Sequence, residues 1–252
     1  MAEKKKIGNA SNTTMSDIKT AKPVGNATGL RVGAVILWVA AIAFELVAIF
    51  MLFGKIRITF LPTLAALIIL IVLDLVCLII GSQLWKKANH IDPASKKNKT
   101  KFWLWNNMGL IVAIFAFVPL IILLFLNKDL DKKTKTIAIV AACAALLIGG
   151  AASIDYNPIS EEEKAAAEAA VSGAVYWTQF GKVYHTHVID EELHFTPADE
   201  KDCPYLNRSD SLTRGTVEEA IAAGKTRICS YCARHDNIDT EGMLTDGVDA
   251  EE

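Results

Sequence analysis

The chain has 252 residues, 52% of them hydrophobic, a mean hydropathy of +0.31 and a formal net charge of −2. That apolar content, gathered in long runs, excludes an ordinary water-soluble domain. The near-zero charge conceals two unlike halves: residues 1–154 carry 18 basic and 7 acidic side chains, or +11, and the remainder 8 and 21, or −13. An acidic C-terminal half repels the nucleic-acid backbone and anionic headgroups, so no nucleic-acid partner is expected.

The first 31 residues are rich in Lys, Asn, Thr, Ser and Gly without an apolar period, and read as a disordered arm. Four apolar runs follow, Val32–Phe53, Phe60–Ile80, Met108–Leu126 and Ile137–Ile154. Each is near the ~20 residues a helix needs to cross a ~30 Å hydrocarbon core. The first run lacks a small-residue cleavage site after it and reads as a retained helix. Residues 32–154 are therefore expected to be a four-helix transmembrane domain in the lipid bilayer of the cell membrane.

Lys and Arg in short loops set orientation. The arm and the second loop carry twelve, against six in the other two loops, which places both termini in the cytoplasm. Trp38, Trp85, Trp103 and Trp105 lie near run ends and are expected to anchor at the headgroups. In the fourth run Ala141, Ala145 and Gly149 recur every four residues, a spacing that lets helices approach closely inside the bundle or against a second copy.

Two carboxylates, Glu45 and Asp74, interrupt the first and second runs. An ionisable group there costs roughly 2.5–3.5 kcal/mol on insertion scales unless neutralised or paired, so both are functional candidates. Their positions imply an offset of roughly 7–8 Å in depth, against a direct pair. The plainer reading is two protonated carboxyls hydrogen-bonded between helices. Cys77 and Cys143 read as small core residues, and Pro119 as a kink that neighbouring helices accommodate.

Beyond residue 154 the character changes. Ser160 and Glu163 form a capping box before an Ala/Glu helix, a spacer over 155–173. "VYWTQFGKVYHTHV" gives two β-rich segments around Gly181, a hairpin pattern. Thr216, Glu219 and Gly224 bracket a two-turn helix that leads directly into Cys229 and Cys232. Three of the five cysteines, Cys203, Cys229 and Cys232, fall in this small part with His185 and His187.

Three thiolates and an imidazole match the closed tetrahedral form of structural zinc. A small cytosolic domain with few large apolar side chains also needs a staple other than a disulfide. A redox role for the C-x-x-C fits less well, since that chemistry favours a pair at the start of a helix in a βαβ unit.

These segments resemble a small bacterial module with the pattern Y-W-T-x-x-G-x-x-Y-H, C-x-x-L and G-T-x-x-E-A-x-x-A-G-K-x-R-x-C-x-x-C, distantly similar to the metal-binding domain of the Ada DNA-alkylation repair protein. The resemblance covers about residues 175–234. It implies a Zn2+ site of His185, Cys203, Cys229 and Cys232, with His187 or His194 as alternative ligands because "THVIDEELHFTPADEKD" separates the His from the first Cys. Methyl transfer and DNA binding are not implied, given the His in place of a thiolate and the acidic charge.

The expected architecture is an α-helical membrane protein with four transmembrane helices, plus a small α+β zinc-binding domain over 174–235 and an acidic disordered tail over 236–252. The expected role is a non-enzymatic interaction or scaffold protein, binding a protein partner or a second copy. The alternative is a small transporter or channel subunit using Glu45 and Asp74, regulated by the zinc module. No Walker loop, G-x-G-x-x-G, H-E-x-x-H or Ser-His-Asp order is present to supply conventional enzyme chemistry.

Overall fold

The computed structural model describes residues 18–188, 203–206 and 212–247, so His194 lies outside the described residues. They form two compact units, residues 25–158 and a second made from the N-terminal segment through Val24 together with Ile159 onward.

The first unit is helical: α1 (Ala27–Leu52), α2 (Thr63–Ile91), α3 (Lys99–Asn106), α4 (Met108–Leu126) and α5 (Lys132–Ser153). α1, α2, α4 and α5 are each long and apolar enough to cross a membrane. α1 starts at Ala27, ahead of the apolar run at Val32, because Asn26 caps it through the Thr28 and Gly29 amides. Asp131 caps α5 in the same way through Thr134, so that helix also begins before its apolar run. Pro119 sits within α4 without ending it.

α1 packs on α2, and α2 and α4 both pack on α5. The buried stripe of α5 is Ala138, Ala142, Ala145, Gly149 and Ser153, which shares Ala145 and Gly149 with the four-residue pattern and leaves Ala141 only partly buried. Gly149 is held to its size, since a Cβ there would lie 2.7 Å from Leu78 Cδ2 of α2. At Gly109 of α4 a Cβ would collide with Ser82 of α2, whose hydroxyl accepts a 2.8 Å hydrogen bond from Ser153 of α5.

Three of the four tryptophans near the run ends pack on one another within the unit. Trp38, Trp85 and Trp105 stack in series with ring centroids 5.2 Å apart, Trp38 and Trp85 are buried, and the Trp85 indole N–H donates to the Trp105 carbonyl at 2.8 Å. The reason is a cation: Arg31 lies over Trp85 and Trp105 and pairs with Asp92 at 2.6 Å, so the rings turn inward to a charge held at that end of the bundle. Only Trp103 is well exposed.

Near the C-terminal end of α5, Lys86 donates to the Ala152 carbonyl at 2.7 Å, a cation placed on orphan helix carbonyls. One turn along α2, His90 meets Asp155 at 2.9 Å. Burial alone would raise the Asp155 pKa, but the His90 hydrogen bond and charge, with the Asn157 amide and Lys86, hold it below the usual carboxylate range.

The second unit contains β1 (Lys19–Thr20), α6 (Glu161–Ala170), β2 (Val175–Thr178), β3 (Val183–Tyr184), β4 (Leu212–Gly215), α7 (Val217–Ala222), β5 (Arg227–Ile228) and α8 (Ser230–His235). β4 is central in a three-stranded sheet, with β1 parallel on one side and β2 antiparallel on the other, in the register Lys19↔Thr213 and Val175↔Gly215. β3 pairs in parallel with β5. The hairpin around Gly181 reduces to one bridge, Tyr176↔His185, closed by two backbone bonds of 2.8 Å.

Three sequence expectations change here. Lys19 and Thr20 of the arm are a strand, because β4 offers an open edge that the Ala21 amide also reaches through the Arg214 carbonyl at 2.7 Å. The acidic tail is ordered structure through residue 247, with Ile238, Met243 and Leu244 on the core and Asp246 accepting from the Ser230 backbone amide and hydroxyl. The helix taken as a spacer buries Ala167 in the same core, beside Ile159 and Val171. The core is therefore larger than residues 174–235 could build alone.

Replacing Gly149 with Leu should overpack the α2–α5 contact and destabilise the bundle by about 1–3 kcal/mol, read as a lower thermal midpoint of the detergent-solubilised chain. Ala144→Leu, on an exposed position of the same helix, should leave that midpoint nearly unchanged.

Candidate metal centre

The parallel pairing of β3 with β5 sets Tyr184 opposite Ile228, so the next residues on each strand, His185 and Cys229, stand side by side. The Cys229 amide fixes this by donating to the Tyr184 carbonyl at 3.0 Å. Both Tyr184 and Ile228 are fully buried, so the packing that orders the strands also orders the ligands. Cys229 then N-caps α8 and Cys232 lies within its first turn, which points both sulfurs to one side. Cys203 arrives on a turn closed by the Leu206 amide on the Cys203 carbonyl, and its own amide bonds the His187 carbonyl at 3.1 Å.

The four donor atoms of His185, Cys203, Cys229 and Cys232 lie within 4.8 Å of one another, and all four residues are buried. Cys203 Sγ is 3.7 Å from Cys229 Sγ, and Cys232 Sγ is 3.6 Å from His185 Nδ1. Bond lengths of about 2.3 Å to sulfur and 2.0–2.1 Å to nitrogen put tetrahedral S···S and S···N separations at about 3.8 and 3.6 Å. Two of the donor pairs therefore stand at the separation that one four-coordinate ion would impose, and the rest lie within reach of it. The sulfur separation is far beyond a disulfide bond, near 2.05 Å, and all three thiols are free.

Hydrogen bonding among the sulfurs divides their protons unequally. Hydrogen bonds from Cys203 and Cys232 lower the Cys229 thiol pKa far below its ordinary range. Cys203 is pushed up to about 11, first by its hydrogen bond with Cys229, and Cys232 is raised further by its two thiol neighbours and by burial. Three thiolates cannot share this volume without a cation, and a divalent ion supplies the charge that lets each lose its proton.

Of the candidates from the sequence, His185 joins the thiols and His187 does not. The His187 ring lies beside His235 and Asp236, 3.4 Å from Asp236 Oδ1. Sequence reasoning passed over His235 and Asp236, although C-x-x-C-x-x-H-D places them one helical turn beyond Cys232.

The redox objection also changes in its details. The C-x-x-C pair does open a helix, and α7 does lie in sequence between two parallel strands, β3 and β5. The thiols are nonetheless fully buried with a third thiol and an imidazole, unlike the exposed attacking sulfur of a redox couple.

Glu45 and Asp74 are both buried in the helical unit. They share no hydrogen bond among the described residues. Glu45 Oε1 and both Asp74 carboxyl oxygens are buried without a partner, so the interhelical bonds expected of two neutral packing residues are missing at these atoms.

Comparison with known protein families, characterised proteins and solved structures finds no match to the chain.

Cys203→Ser, Cys229→Ser, Cys232→Ser and His185→Ala should each abolish retention of the tightly bound metal, measured as metal per chain by mass spectrometry of the full-length protein. His187→Ala should retain it. Retention in His185→Ala with loss in His187→Ala would reverse the ligand assignment.

Proposed function

We propose that the chain is an integral membrane protein of four spanning helices that presents a small zinc-stabilised domain on the cytoplasmic side, where it acts as a non-enzymatic interaction module. The closed donor set carries this reading: three buried thiols and a buried imidazole at tetrahedral spacing leave no open coordination position for a substrate. Thiolate-rich tetrahedral donors favour zinc over harder ions. The resemblance of residues 175–234 to a bacterial zinc-binding module agrees with that choice. The role left for such a domain is to hold a surface for a protein partner or a second copy of the chain.

Orientation rests on the basic arm and second loop. The arrangement has a direct test in Glu241, which is exposed. A Glu241→Cys variant should resist a membrane-impermeant maleimide in intact cells and react once they are permeabilised. Labelling of intact cells would invert the topology and place the thiol cluster in an oxidising compartment.

A second reading is favoured by the orphaned carboxyl oxygens of Glu45 and Asp74. In that reading the bundle moves a proton or small cation past the two acids, and the metal domain regulates it. Glu45→Gln and Asp74→Asn separate the alternatives. A scaffold reconstituted in vesicles should show the same proton and cation flux with or without these changes. A flux that depends on either carboxyl would establish the transporter.

A further inference from the structure

The geometry points to a second, exchangeable divalent-metal site beside the thiol cluster, formed by His187, His235 and Asp236. Its three donor atoms lie within 4.8 Å of one another. Asp236 Oδ1 is 3.4 Å from His187 Nδ1 and 2.9 Å from His235 Nδ1. Bonds of about 2.0–2.2 Å to nitrogen and oxygen put neighbouring ligands of one ion about 2.9–3.5 Å apart, so both separations suit a shared ion.

The backbone builds the two sites in parallel. His185 and His187 are two residues apart at the end of β3, and the first joins the thiols while the second joins Asp236. Along α8, Cys229 and Cys232 serve the thiol cluster, while His235 and Asp236, a turn further on, close the second set. Each of two chain segments therefore contributes to both sites.

The second set is also buttressed. The Thr186 hydroxyl donates to Asp236 Oδ2 at 2.5 Å, which fixes the carboxylate and leaves Oδ1 facing the imidazoles. The two imidazole rings lie with centroids 3.7 Å apart, tilted by 36°, with His187 buried and His235 exposed. One wall is thus preformed and the other open to water.

Two imidazoles and one carboxylate with open positions suit a borderline divalent ion such as Zn2+, Co2+ or Ni2+. Three ligands and an open face give an ion that exchanges with solution, in contrast to the enclosed neighbour. The pair would let the domain keep one ion permanently and respond to the free concentration of another. This inference uses donor atoms separate from the thiol set, although both sets share α8.

Titration with Co2+ of the full-length, detergent-solubilised protein, purified from zinc-depleted, cobalt-supplemented cells so that Co2+ already fills the thiol site, tests it under reducing conditions, with calorimetry for stoichiometry and visible absorption for ligand type. Binding at the thiols gives intense sulfur-to-cobalt charge transfer. Binding at the second site gives one further equivalent with weak bands and no charge transfer. His235→Ala and Asp236→Asn should each remove that equivalent and leave the thiol signal intact. Saturation at the thiol site alone would overturn the second site, as would a nitrogen–oxygen equivalent that survives in both variants. A missing thiol signal bears on the closed centre, and a missing second equivalent bears only on this inference.

Discussion

The candidate metal centre depends on one pairing, the parallel register of β3 against β5. Two residues on each strand are too few to hold a ladder by hydrogen bonds alone, and the pairing stands because Tyr184 and Ile228 are both sealed into the core. The ligands are the very next residues. A slip of one position would turn every side chain to the other face and carry His185 and Cys229 apart. Core packing and metal geometry therefore select the same register, and each supports the other. All three sulfurs can lose their protons together in one buried volume only beside a compensating charge, so the arrangement has a use for an ion that packing alone does not supply.

Much of this was legible in the sequence, for reasons that differ by element. The four long helices follow from run length, which is a one-dimensional property. The capping boxes at Ser160 and Thr216 were equally local, and the side chains bond as the spacing requires. The C-x-x-C and the third cysteine marked a cluster. What stayed hidden was set by distant partners. Lys19 and Thr20 carry no strand signal of their own and are strand because β4 has a free edge. The segment after residue 235 reads as polar and acidic, yet three spaced apolar residues, Ile238, Met243 and Leu244, bring it onto the core. A Cβ at Gly215 would lie 2.6 Å from Ala21 and 2.8 Å from Trp177, a close approach no motif announces.

The choice between His185 and His187 shows where spacing stops being informative. Both histidines follow the same strand, two residues apart, and both are buried. Periodicity places them on one face and cannot separate them. The distinction comes from α8, whose first turn carries the cysteines and whose end carries His235 and Asp236. The helix axis sorts the two imidazoles into different neighbourhoods, and the same helix packs Ala233 into the core.

The helical unit shows a sharper contrast among its polar groups. Toward one end, Arg31 meets Asp92, Lys86 meets α5 carbonyls, His90 meets Asp155 and Ser82 meets Ser153. Each has a partner on another part of the unit, which is the usual condition for polar groups in a low-dielectric setting. Glu45 and Asp74 are as deeply buried, but three of their four oxygens have none. Of the other two long helices, α4 carries no ionisable side chain, and α5 carries only its N-terminal lysines and Cys143. At roughly 2.5–3.5 kcal/mol per acid on insertion scales, such a pair is a standing cost that apolar residues of the same volume would remove. Unlike the pairs at that end, the two acids leave buried oxygens open, as the unit also leaves Trp38 Nε1 and Asn89 Oδ1, and an open carboxyl has free acceptor atoms that a cation would need where a satisfied one does not.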